Sequence, residues 1–143
     1  MKLPEGVELD VRAIGRGALL GLAVIAPASL ADLAMSSVKD VDEGWLVFTL
    51  FALILGAFFL AGYKAATTAA GSPYTHGAVA GLAAFALWLP LRVATRALVG
   101  EQLLGREGDA AFKIVEAVVT AGLFAMSFGI LGGFVGAVRN RRR

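Results

Sequence analysis

Four ionisable side chains, Asp32, Arg92, Arg96 and Glu116, fall at or near the ends of otherwise apolar runs. Asp32 and Arg92 carry opposite charge and stand sixty residues apart. A lone charge inside a bilayer costs at least ~2.5 kcal/mol, so such residues take partners. The spacing predicts intramembrane ion pairs, Asp32 with Arg92 first. Arg96 follows Arg92 by one helical turn on the same face. Glu116 is expected to open the fourth helix, where it would favour the positive helix end and be within reach of Arg96. Two functions suit such a layer, a proton or ion relay or an anion site at the arginines. The structural alternative is a set of ion pairs whose longer side chains snorkel towards water.

Nothing in the chain reads as a catalytic constellation. Ser29, Thr120 and Ser127 fall at depth with no histidine to activate them. Ser29 precedes Asp32 by three residues, which suits a hydrogen bond better than a nucleophile. The single histidine, His76, has no cysteine or second histidine to join it as a metal or haem ligand, and suits a helix cap or a headgroup contact. The glycines form no phosphate loop. The sequence therefore predicts no catalytic residue, no metal and no cofactor.

The elements that must position these charges are apolar. Hydrophobic residues make up 58% of the 143 and mean hydropathy is +0.77. Residues 44–63, 65–91 and 117–138 contain no Asp, Glu, Lys or Arg, and a fourth apolar stretch covers about 15–35. Each is long enough at 1.5 Å per residue to cross a hydrocarbon core of about 30 Å. The expectation is an all-α protein, a bundle of four transmembrane helices over 13–36, 44–64, 73–97 and 112–138, forming a single integral membrane domain of residues 1–143. The first apolar stretch also has the outline of a cleavable leader ending at Ser29-Leu30-Ala31, but Glu5, Glu8 and Asp10 are foreign to a signal n-region.

Orientation follows from the basic residues. With both termini cytoplasmic, Lys2, Arg12, Arg16, Lys64, Arg139, Arg141, Arg142 and Arg143 lie inside, against Lys39, Arg92, Arg96, Arg106 and Lys113 outside. Eight against five favours cytoplasmic N- and C-termini. Trp45 and Trp88 are expected at the outer interface and Tyr63 and Tyr74 at the inner one. A net charge of +2 gives no reason to expect a nucleic-acid partner.

The chain writes Gly-Ala-x-x-Gly-Leu-Ala twice, at Gly17–Ala23 and Gly77–Ala83. One reading is a duplicated helical hairpin, its copies related by a pseudo-two-fold axis along the membrane normal. The other is chance in a chain rich in Ala and Gly. In either case Gly17/Gly21, Gly77/Gly81, Gly129/Gly133, Gly132/Gly136 and Gly56 with Ala52 form small-xxx-small pairs, which permit close helix packing in lipid. Gly21 and Gly81 are expected where helices 1 and 3 meet, and Gly132 and Gly136 against another subunit. Pro27 and Pro90 are expected to kink helices 1 and 3.

Residues 61–85, "AGYKAATTAAGSPYTHGAVAGLAAF", resemble a family of small uncharacterised four-span bacterial inner-membrane proteins. The motif is Gly62, Lys64 and Ala65 after helix 2, then His76, Gly77 and Gly81 opening helix 3. The resemblance implies four spans and a bacterial cytoplasmic membrane, and no chemistry. The function expected from the sequence is non-enzymatic: a packing or assembly role in a homo-oligomer or larger complex, with the lipid bilayer and itself or another membrane protein as partners. The alternative is a small channel or transporter subunit with a polar site near Asp32 and Arg92.

Overall fold

A computed structural model describes residues 9–36, 43–69, 71–99 and 110–141. They form four helices: α1 (Val11–Ser36), α2 (Glu43–Thr68), α3 (Pro73–Val99) and α4 (Ala110–Arg141). No strand occurs among the described residues. Each helix contains a stretch long and apolar enough to cross a membrane, of 21, 25, 22 and 27 residues in chain order. That is the make-up of a multi-pass membrane protein.

Local chemistry sets the helix ends nearest the termini. Asp10 caps α1, its Oδ1 accepting the backbone N–H groups of Arg12 and Ala13, both at 3.0 Å. α3 starts after Ser72, whose carbonyl accepts the His76 N–H at 3.1 Å, with Pro73 at the first helical position, where its missing N–H is no loss. The last turn of α4 carries Arg139 and Arg141, the charge that a helix C-terminus favours. α2 continues past residue 64 to Thr68. The hydroxyls of Thr67 and Thr68 both donate to the Lys64 carbonyl, at 3.0 and 2.9 Å. Both prolines lie inside helices that continue through them, Pro27 in α1 and Pro90 in α3.

In the bundle α2 and α3 form the middle and touch each other. α1 and α4 each pack on both of them, and the described residues of α1 and α4 do not touch. Strict two-fold symmetry between hairpins would make the α1–α4 relation equal to the α2–α3 relation, so the bundle as a whole departs from it.

The packing device within each hairpin is nevertheless the same. A Cβ built on Gly17 would strike the carbonyl oxygen of Ala61, and one on Gly21 would lie 3.0 Å from the Ala61 methyl and 3.1 Å from the Ala57 oxygen. In the second hairpin Gly77 faces the Gly129 carbonyl and Gly81 the Ala125 carbonyl. The glycines are sixty residues apart, and their counterparts, Ala57 with Ala125 and Ala61 with Gly129, are 68 apart. Gly21 also meets Ala84 of α3 at 3.2 Å, whereas the atoms nearest a Cβ on Gly81 belong to α4.

α4 meets α2 as closely. Gly132 abuts the Phe59 carbonyl and lies 2.8 Å, measured from a built Cβ, from the Tyr63 nitrogen; Gly136 faces Ala66 and Tyr63. The expectation that these two glycines serve another subunit is therefore corrected: α2 occupies that face. Gly133 lies against Pro73 and Gly77, whereas Gly56 has open space beyond it and is not a close-packing position. Between lipid-exposed helices such contacts supply the dispersion that hydrophobicity cannot.

Candidate functional site

The small residues draw the helices together towards the termini. At the opposite end the facing positions are large, and the seams open. A cavity of about 310 Å³ lies there between α2, α3 and α4. Among the described residues its wall is aliphatic and aromatic, with Arg92 the one charged side chain in it.

The floor is an aromatic cluster. Phe58 of α2 meets Phe85 and Trp88 of α3 edge-on, with ring centres 6.4 and 6.5 Å apart. Phe58 is 2% exposed and Trp88 7%. The Trp88 indole N–H donates to Ser29 Oγ of α1 at 2.8 Å, inside the bundle. This bond fixes the ring, since a buried N–H without an acceptor is costly. One turn further along α3 the Arg92 guanidinium lies over the same ring, 5.1 Å from its centre, a cation–π arrangement. Ser29, Trp88 and Arg92 thus form a chain of contacts from the core to the cavity wall.

Trp88 is therefore not an interfacial belt residue, as its position near a helix end suggested. Trp45, 73% exposed, remains at the surface. The proposed charge layer is only partly described. Arg92 is half-buried at the cavity. The side chains of Asp32 and Arg96 lie outside the described residues, and only their backbones are placed, in α1 and α3. Glu116 is exposed. It does not open α4, which begins at Ala110 and carries no acid in its first turn.

A second polar node ties α1 to α3 near the termini. His76 is fully buried. Its Nε2 accepts the Asp10 backbone N–H at 2.9 Å, so the ring proton is on Nδ1, which donates to the Ser72 carbonyl at 2.7 Å. His76 is thus a helix cap in an unusual sense: a side chain of α3 satisfies the backbone at the start of α1. It makes no headgroup contact.

Nearby, Lys64, Thr67, Thr68, Arg139 and Asn140 line a polar recess with Tyr63, whose hydroxyl accepts a hydrogen bond from Arg139. Among the described residues no three His, Asp or Glu side chains gather as metal ligands.

No family model, curated protein or solved structure matches this chain. Any functional reading therefore stands on the geometry. Of the residues in that geometry, sequence reasoning singled out Arg92, and had Ser29 as a hydrogen-bonding residue beside Asp32, whereas its partner here is Trp88. It missed the role of Trp88, because a tryptophan near the end of an apolar run has the same pattern whether it faces headgroups or the core.

Proposed function

We propose that this chain is a non-enzymatic binding subunit of a bacterial cytoplasmic membrane, with both termini in the cytoplasm. Its functional element is the cavity between α2, α3 and α4, and it works beside another copy or another membrane protein. The observation that carries the reading is the cavity itself, walled by side chains that the Ser29–Trp88 bond and the Arg92–Trp88 contact hold in place. A cavity with rigid walls and a few fixed polar groups is the usual form of a ligand site. It suits the expected polar site near Arg92 better than an assembly role, since the α4 glycines that suggested assembly pack against α2. The seams nearer the termini are closed by backbone contact, which argues for binding rather than a water-filled conduit. The resemblance to small four-span bacterial proteins agrees with the membrane assignment.

Tryptophan fluorescence tests the reading. Trp45→Phe leaves Trp88 as the single tryptophan. In bilayers of a zwitterionic lipid brominated on its acyl chains, Trp88 should be strongly quenched despite its burial. Ala117→Phe, placed on the exposed side of the cavity wall, should remove most of that quenching. Equal quenching with and without the added ring would mean that no chain enters the cavity. Light scattering in mild detergent reports separately whether the protein is an oligomer.

A further inference from the structure

We infer that the recess between Tyr63, Lys64, Thr67 and Thr68 of α2 and Arg139 and Asn140 of α4 binds a phosphate group, supplied by an anionic phospholipid. This recess is separate from the cavity at Trp88, and the inference does not depend on that cavity.

Chemistry is the first argument. The Thr67 and Thr68 hydroxyls donate their single protons to helix carbonyls and have none left for a ligand. The donors that remain are on Lys64, Arg139 and Asn140. The Lys64 ammonium is exposed and forms no hydrogen bond or ion pair among the described residues. Arg139 donates to the Tyr63 hydroxyl, with its guanidinium 5.9 Å from the centre of the Tyr63 ring. That partner is neutral, so the charge is not cancelled, and most of the guanidinium donors are left. Tyr63 thus holds the arginine at the recess wall without neutralising it.

Charge is the second. Among the described residues no Asp or Glu lines the recess. The one described acid at this end of the bundle is Asp10, and its carboxylate caps α1. Two cations on different helices therefore face one recess with no anion between them. A phosphate bridging Lys64 and Arg139 would replace their repulsion by two attractions.

Depth and size are the third. The apolar span of α2 ends at Thr68 and that of α4 at Arg141. Lys64 lies four residues before the first of these ends, about 6 Å along the helix, and Arg139 two before the second. Both side chains are therefore at the level of the headgroups, whichever leaflet that is. The recess holds about 280 Å³. At about 30 Å³ for a water-sized group, that accommodates a phosphate and the first carbons of its two esters. Basic pockets between membrane helices are a known form of anionic-headgroup site.

The test uses the full-length protein in a neutral detergent. Thermal unfolding is followed as phosphatidylglycerol or phosphatidylcholine with the same acyl chains is added, and the stabilisation gives each affinity. Phosphatidylglycerol should act at the lower concentration. Lys64→Gln and Arg139→Gln should each lower its advantage about fivefold, the equivalent of ~1 kcal/mol per basic residue. Lys64→Arg should keep most of it. Arg12→Gln removes the same charge from α1, away from the recess, and should leave it unchanged. All these side chains are exposed, so the variants should fold. Equal losses in Lys64→Gln and Arg12→Gln would mean diffuse attraction to a basic surface and would overturn the site. So would a parent protein that does not distinguish the two lipids. Inorganic phosphate is added separately, against chloride at equal ionic strength. Stabilisation by it that Lys64→Gln abolishes would overturn the lipid as the source and make the recess a site for soluble phosphate. Each of these outcomes leaves the reading of the Trp88 cavity untouched.

Discussion

Gly77 of α3 and Gly129 of α4 face each other reciprocally: a methyl group on either would strike the carbonyl oxygen of the other. Neither position has a side chain that a rotamer change could move aside. The only relief for an added carbon is to part the two helices. Gly132 meets the Phe59 carbonyl of α2 in the same way. These contacts fix where the seams are tight, and so where the cavity is left at the other end.

Alanine at Gly77, Gly129 or Gly132 should therefore destabilise the protein by about 1–3 kcal/mol, the usual range for overpacking. The same change at Gly56, which has open space, should be neutral or stabilising by up to about 1 kcal/mol through helix propensity. Thermal unfolding in one detergent checks all four. A loss at Gly56 equal to that at Gly132 would contradict the packing account.

How much of this was legible beforehand differs from residue to residue. The four spans were, because runs without charge are long and the bilayer sets their length. That Gly17, Gly77 and Gly132 permit close approach was legible too, since small residues at i and i+4 share a helix face. Their partners were not. A stripe of glycines states that something comes near, not what, and so Gly132 and Gly136 read as a subunit contact when their neighbour is α2. Gly56 carries the same spacing with nothing opposite. Ser29–Trp88 was hidden for a related reason: hydrogen bonds between helices 59 residues apart leave no local pattern.

The Ser29–Trp88 bond makes a separate prediction. Ser29→Ala strands a buried indole N–H, and Trp88→Phe removes the donor and part of the ring packing. The double variant should lose less than the two single losses added. Coupling between helices in membranes averages about 0.6 kcal/mol and reaches about 1.7. A double-mutant cycle on unfolding free energies measures it, and strict additivity would mean that the bond contributes nothing.

His76 holds two backbone groups at once, the Asp10 N–H and the Ser72 carbonyl. His76→Phe fills similar space but leaves the Asp10 N–H without a partner, at about 1–3 kcal/mol, while the Ser72 carbonyl keeps only the backbone N–H of residue 76. His76→Asn restores one donor and one acceptor on a shorter side chain and should lose less. Asp10→Ala should cost about 0.5–2 kcal/mol by itself, because it removes only the α1 cap. Hydrogen exchange gives a readout that stability alone does not. In His76→Phe the amides at the start of α1 should exchange faster, while those around Trp88 stay protected. Uniform loss of protection along the chain would show that His76 acts on the whole bundle and not on this joint.

The orientation proposed from the basic residues can be tested independently of all packing arguments. The chain contains no cysteine, so single cysteines report without a background. The α1–α2 and α3–α4 connections hold Ser37 and Asp109, and α4 ends near Asn140, which is exposed. With eight Lys and Arg on the terminal side and five on the other, the terminal side is the cytoplasmic one under the positive-inside rule. Ser37→Cys and Asp109→Cys should react with an impermeant maleimide added to intact cells or spheroplasts. Asn140→Cys should react only after the membrane is opened. The opposite pattern would place the Arg92 cavity in the cytoplasmic leaflet.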